Sequence, residues 1–266
     1  MRRGYLGLWA ILVITFAIML FASQHDSIAF ASYQLKTSSL WEEIFGTPRS
    51  QSDEDISSLS TEEIIALSQS KVEKVETDTL PKRILFIGDS MLEGLYPRLA
   101  AYAKANGHSL YCVIWYSSTS KVWGESTHIP EYIKQFDPDY VFISLGANEL
   151  FVKDIEKQRD KYVKKILSEI DPIPYVWIGP PNWKEDTGIN RLIASNAAQG
   201  TFFLSNGMHF DRKSDGAHPT SASAALWMDS IVRWMPKHCA HPIKMDMPSE
   251  KSARANRVVV LQPTDK

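Results

Sequence analysis

Five short runs limit what this chain can fold into more than any other feature: RILFI (83–87), SLYCVIW (109–115), YVFISL (140–145), PYVWIG (174–179) and TFFLS (201–205). Each is apolar nearly throughout and rich in β-branched and aromatic residues, so it reads as a strand with both faces covered and not as one with a wet side. Between them lie segments of helical period. Leu92, Leu95, Leu99 and Tyr102 form one stripe, Tyr162, Val163, Ile166, Leu167 and Ile170 a second, and Ala224, Met228, Ile231 and Met235 a third. Alternation of such strands and helices predicts an α/β fold, a parallel doubly wound sheet between two helical layers. Sheets of this kind carry their functional groups on the loops at the carboxyl ends of the strands.

The flanks are of a different texture. Arg2 and Arg3 precede an uncharged stretch from Tyr5 to Ala22, LGLWAILVITFAIMLFA at its centre. About twenty apolar residues cross a bilayer as a helix, so residues 1–23 read as a signal-anchor with its amino end in the cytoplasm and the rest of the chain exported. The triplet Ala29-Phe30-Ala31 leaves a cleaved signal peptide, and hence secretion, as the alternative. Residues 24–80 are polar and read as a partly disordered spacer with two short helical segments, SLWEEIF and TEEIIALSQSKVEKV. The compact domain is expected over 81–236 and a solvated tail over 237–266.

A formal net charge of -2 offers no electrostatic bias toward nucleic acid. Cys112 falls within an expected strand and Cys239 in the expected tail; two distant cysteines do not define a disulfide. His238, Cys239 and His241 lack a fourth ligand at metal-binding spacing, and no metal is expected.

Three segments that follow strands carry chemistry-bearing residues. FIGDS (86–90) hands the first strand to a helix, and Ser90 is followed three residues on by Glu93, the spacing of a capping box as well as a place for a nucleophile. SLGANEL (144–150) puts the Asn148 amide, with two N–H donors, at the same sheet edge. SDGAHPT (214–220) sets Asp215 and His218 three apart around Gly216, so that one imidazole nitrogen can face a carboxylate and the other a hydroxyl. A cap, a turn former and an Asp-Gly turn explain each alone. They do not explain why all three follow strands of one parallel sheet.

FIGDS, SLGANEL and SDGAHPT resemble the first, third and fifth sequence blocks of the SGNH (GDSL-type) hydrolases, a superfamily of esterases, lipases, carbohydrate O-acetylesterases and acyltransferases. The resemblance spans residues 82 to 236. It implies a flavodoxin-like three-layer sandwich around a five-stranded sheet, with Ser90 as nucleophile, His218 as general base and acid, and Asp215 orienting the imidazole. It further implies an oxyanion hole made of the Ser90 N–H, the Asn148 side chain and a backbone N–H from the loop after the second strand. That loop reads YSSTSKVWG and departs from the family, which places Gly there; Ser118, Thr119 and Ser120 are the candidates, with Ser120 adopted. Glu149 also replaces the family's usual Asp, a change expected to bear on loop support.

The chemistry implied is acyl transfer without metal or organic cofactor. The expected activity is that of a serine esterase acting on acyl groups of cell-envelope carbohydrate, with Trp183 in GPPNWKED placed to stack on a sugar ring. An O-acyltransferase with the same triad, and a noncatalytic carbohydrate-binding or assembly module on the same fold, are the alternatives. The expected partners are an acyl-ester substrate, a glycan and, through the N-terminal helix, a membrane. His108, His128 and His209 are assigned to packing or surface.

Overall fold

The computed structural model describes residues 75–205 and 207–264, together with positions 27–30, 33–36, 63 and 66. The chain divides into two compact units, Met1–Asp55 and Ile56–Lys266. In the first, β1 (Ser27–Phe30) pairs antiparallel with β2 (Tyr33–Lys36). The expected membrane-crossing segment lies outside the described residues. Among the described residues no helix is long and apolar enough to cross a membrane.

The second unit holds a six-stranded, wholly parallel sheet. Its elements in chain order are β3 (Arg83–Gly88), α1 (Leu92–Ala105), β4 (Ser109–Trp115), α2 (Ser120–Glu125), α3 (His128–Phe136), β5 (Tyr140–Ser144), α4 (Ile155–Ile170), β6 (Tyr175–Ile178), α5 (Ile189–Asn196), β7 (Phe202–Phe203), α6 (Ser221–His238) and β8 (Arg257–Leu261). The strands lie in the order β7-β6-β5-β3-β4-β8. Without β8, this is the doubly wound order in which the chain starts mid-sheet and winds out first one way, then the other, with its crevice between β3 and β5.

Strand pleating sorts the core onto two faces, because successive side chains point oppositely. Ile84 and Phe86 of β3, with Cys112, Ile114, Phe142 and Val176, pack against α1 and α6 through residues such as Leu95, Leu99, Trp227 and Ile231. Leu85 and Ile87, with Val113, Trp115, Val141, Ile143 and Trp177, face the other helical layer, including Trp123, Ile129, Val163, Ile166 and Leu192. Both sets are essentially inaccessible to water. This explains why the strands read as unbroken apolar runs. Each Leu, Ile or Phe so buried contributes about 1.5–3 kcal/mol of transfer free energy.

The sixth strand corrects the expected count of five and the expected tail. Beyond α6, Cys239 and Ile243 are buried, and residues 257–261 add a parallel edge strand to β4. The Arg98 guanidinium fastens the intervening stretch. It donates to Asp229 Oδ1 at 2.6 Å and to the Glu250 carbonyl at 2.8 Å, tying α1, α6 and the C-terminal segment together. The RVVVL run carried a strand signal. Its position past the last helix, behind the polar stretch SEKSARAN, made it read as tail.

Candidate active site

The motif glycines bring β3 and β5 together at the crevice. A Cβ on Gly88 would sit 2.3 Å from the Ser144 carbonyl oxygen, so no other residue fits. That approach lets the Asp89 N–H donate to the same oxygen at 3.0 Å. Gly146, with φ +121, turns the chain at the end of β5 in a conformation that side chains disfavour.

Ser90 does not cap α1. Met91 occupies the N-cap position, and no side chain accepts there. The Ser90 hydroxyl is instead 2.8 Å from His218 Nε2, although the two lie 128 residues apart in sequence. His218 Nδ1 is 2.9 Å from Asp215 Oδ2. A carboxylate only accepts, so Nδ1 carries the proton and Nε2 offers its lone pair to the hydroxyl. Asp215 is itself held in place: its Oδ1 accepts the Ala217 and His218 N–H groups at 2.8 and 2.9 Å. These backbone bonds, the His218 N–H first, hold its carboxyl down at about 2, so it is ionised throughout the neutral range.

The turn bearing Asp215 and His218 is braced from a neighbouring loop. Lys213 N–H donates to the His218 carbonyl at 2.8 Å and Thr220 N–H to the Asp211 carbonyl at 2.8 Å. Arg212 reaches from this hairpin to the loop after β6, donating to the Ala217 carbonyl and, at 3.2 and 3.0 Å, to the carbonyls of Pro181 and Asn182. Thr220 caps α6 through the Ser223 N–H. Arg212 had no signal in the sequence, where a lone arginine in a polar turn reads as surface.

The loop after β4 answers the question raised by its missing glycine. Ser117 adopts φ +58, a left-handed conformation uncommon for any residue with a Cβ. The loop therefore keeps the geometry that glycine would supply and places serine in it. Ser118 N–H is committed to the Trp115 carbonyl at 3.2 Å. Ser120, the donor adopted from sequence, is corrected: its N–H donates to Glu149 Oε2 at 2.8 Å, its hydroxyl to Glu149 Oε1 at 2.8 Å, and it is wholly buried. Among the described residues the Ser117 and Thr119 N–H groups carry no hydrogen bond. Asn148 belongs to the same cluster, spending one amide proton on the Ser118 carbonyl at 2.9 Å and leaving the other.

Asp89 immediately precedes Ser90 and is 1% exposed. Its Oδ1 accepts the Met91 N–H at 2.9 Å, whereas Oδ2 makes no well-formed hydrogen bond. Burial pushes this carboxyl up to about 7, against the pull of the Met91, Ala147 and Gly146 N–H groups and with help from the Glu149 charge.

Trp183 sits half-buried, with Nε1 donating to the Ala147 carbonyl at 2.9 Å. Lys184 Nζ lies 4.7 Å from its ring centroid, and Phe151, 53% exposed, meets it edge to face at 6.4 Å. Of the remaining histidines, His108 is buried, accepting the Lys82 N–H at Nδ1 and donating from Nε2 to the Lys244 carbonyl. His128 packs edge-on against Trp115.

No protein-family model matches the chain, and neither does any curated protein. Among solved structures it is similar to TesA, at 17% identity over 57% of this chain and 97% of that one, with a TM-score of 0.44. It is also similar to the psychrotrophic esterase EstA from a Pseudoalteromonas species, at 16% identity over 57% and 94% of the two chains and a TM-score of 0.42. An acetyl esterase solved with acetate ion follows at 14% identity, 57% and 96% coverage and a TM-score of 0.43. Likeness at this level says nothing of catalysis, which rests on the side chains.

Proposed function

We propose that this protein is a serine esterase in which Ser90, His218 and Asp215 act as the triad. The observation that carries the reading is the chain of two hydrogen bonds, Ser90 Oγ to His218 Nε2 at 2.8 Å and His218 Nδ1 to Asp215 at 2.9 Å. This order matches what proton transfer from a serine hydroxyl demands.

In the first step Ser90 Oγ bonds to the ester carbonyl carbon while its proton passes to His218 Nε2. The carbonyl oxygen becomes an oxyanion facing the Ser90 N–H, the second amide proton of Asn148 and a free N–H of the 117–119 loop. The imidazolium, stabilised by ionised Asp215, then protonates the leaving alcohol as its C–O bond breaks. Water, one proton taken by His218, attacks the acyl carbon; the Ser90 Oγ–carbon bond then breaks, His218 returns that proton to Ser90 Oγ, and the carboxylic acid leaves. No step needs a metal or organic cofactor. The substrate class we favour is a small acyl ester, such as acetyl, on cell-envelope carbohydrate. An exported, membrane-tethered chain would meet such esters, and this placement rests on the apolar run at 5–22.

The test uses the full chain purified in mild detergent. It should release p-nitrophenol from p-nitrophenyl acetate and be labelled by a fluorophosphonate on Ser90, and Ser90→Ala should lose both while keeping its circular dichroism. A folded wild type that shows neither signal refutes the esterase reading and leaves a binding module. Product analysis with an added glycan separates transfer to sugar from transfer to water.

A further inference from the structure

Glu149 is a wholly buried carboxyl group that the triad chemistry leaves without a task. It sits in the turn after β5, its own N–H bonded to the Gly146 carbonyl. Its side chain reaches across to the start of α2, where Oε2 accepts the Ser120 N–H and Oε1 the Ser120 hydroxyl, both at 2.8 Å. Arg159 of α4, its side chain 14% exposed, donates Nε to Oε1 at 2.7 Å and balances the charge. One residue earlier, Asn148 holds the Ser118 carbonyl at 2.9 Å. The Ser118 hydroxyl in turn accepts the Trp123 indole N–H at 2.9 Å.

The loop after β4 is therefore fastened at both residues that flank Thr119, and immediately after Ser117. Ser117 is the loop residue in the left-handed conformation, and among the described residues Ser117 and Thr119 carry the N–H groups left unpaired. A serine does not hold φ +58 without help; surrounding structure has to impose it. Glycine at this position would make that support unnecessary.

We infer that Glu149, anchored by Arg159, is a positioning residue that holds the 117–120 loop in its strained form, so that a backbone N–H of that loop points at the developing oxyanion. It touches neither substrate nor Ser90. The Arg159–Glu149–Ser120 chain stands in for the missing glycine. This inference rests on the esterase reading of the same site, and the experiment separates the two.

Glu149→Gln keeps the side-chain length but removes the charge that Arg159 and the two Ser120 donors share. In the full-length protein, assayed with p-nitrophenyl acetate, the expected result is a fall in kcat on the order of 10²-fold, as for loss of one oxyanion donor, with KM changed less than about threefold. Adding Ser117→Gly to Glu149→Gln should recover at least roughly tenfold of that loss, because glycine holds the loop geometry unaided. Arg159→Gln should lower kcat in the same direction. Circular dichroism and thermal melting are recorded for every variant. A Glu149→Gln protein with wild-type kcat overturns the inference. So does a loss of activity that Ser117→Gly fails to relieve, since a merely structural carboxylate would give that pattern. A wild type that neither turns over the ester nor takes the fluorophosphonate refutes the esterase reading instead.

Discussion

Replacing Asp89 by asparagine tests whether a buried carboxyl next to Ser90 governs the stability of the domain as a function of pH. Burial moves this group from its ordinary 3.8 to about 7. Between those two values the folded protein keeps the proton that the unfolded chain has already lost. Stability is therefore full below pH 3.8, falls as pH rises through the window, and levels off above about 7. A window about three pH units wide corresponds to about 4 kcal/mol. For a domain of this size that is a change in Tm on the order of 10 °C. The asparagine of the variant still presents an oxygen to the Met91 N–H but has no proton to lose. Urea unfolding followed by tryptophan fluorescence at about pH 4 and about pH 8, for wild type and Asp89→Asn, isolates the contribution as a difference of differences. The wild type is expected to lose about 4 kcal/mol more than the variant over that range. An offset between the two proteins that is equal at both pH values would refute the assignment of a high pKa to Asp89.

Other expectations follow from single contacts. Asp215→Asn should lower kcat by about 10³- to 10⁴-fold with little change in melting temperature, because the imidazole loses the partner that fixes its tautomer; steady-state kinetics decide it. Arg212→Met releases the His218 turn from the Pro181 and Asn182 carbonyls and should lower kcat by roughly 10- to 100-fold, measured on the same ester. Arg98→Met leaves Asp229, its side chain 13% exposed, without its ion-pair partner. It should cost about 3–5 kcal/mol in urea unfolding and speed hydrogen exchange between residues 245 and 256. Cys112 and Cys239 are both buried free thiols whose pKa values burial pushes up, so iodoacetamide should modify neither in the folded protein.

The chain's local patterns reach the fold and the proposed triad by different routes. Unbroken apolar runs and helical stripes specify which residues lie inside, since burial on two faces leaves no room for polar alternation; that is enough to place β3 to β7 between two helical layers. The motifs FIGDS and SDGAHPT single out Ser90, Asp215 and His218 because each is short, turn-rich and set at the start of a helix, the first directly after a strand. Ser90 as a helix cap and Ser90 against an imidazole share one local sequence, however. Only the approach of a residue 128 positions away decides between them.

Three further features depend on long-range partners that no local pattern announces. The edge strand Arg257–Leu261 exists because β4 presents an open edge for it. Ser120 reads as a free donor until Glu149, 29 residues on, takes both its N–H and its hydroxyl. Ser117 reads as an ordinary loop residue, since its left-handed backbone is imposed from outside and leaves no mark on its identity. Sequence by itself determined the layers and named the groups proposed to react, because hydrophobic period and side-chain chemistry are local properties. Tertiary structure alone decided which donors remain free to meet an oxyanion, because a hydrogen bond is spent only when its partner arrives.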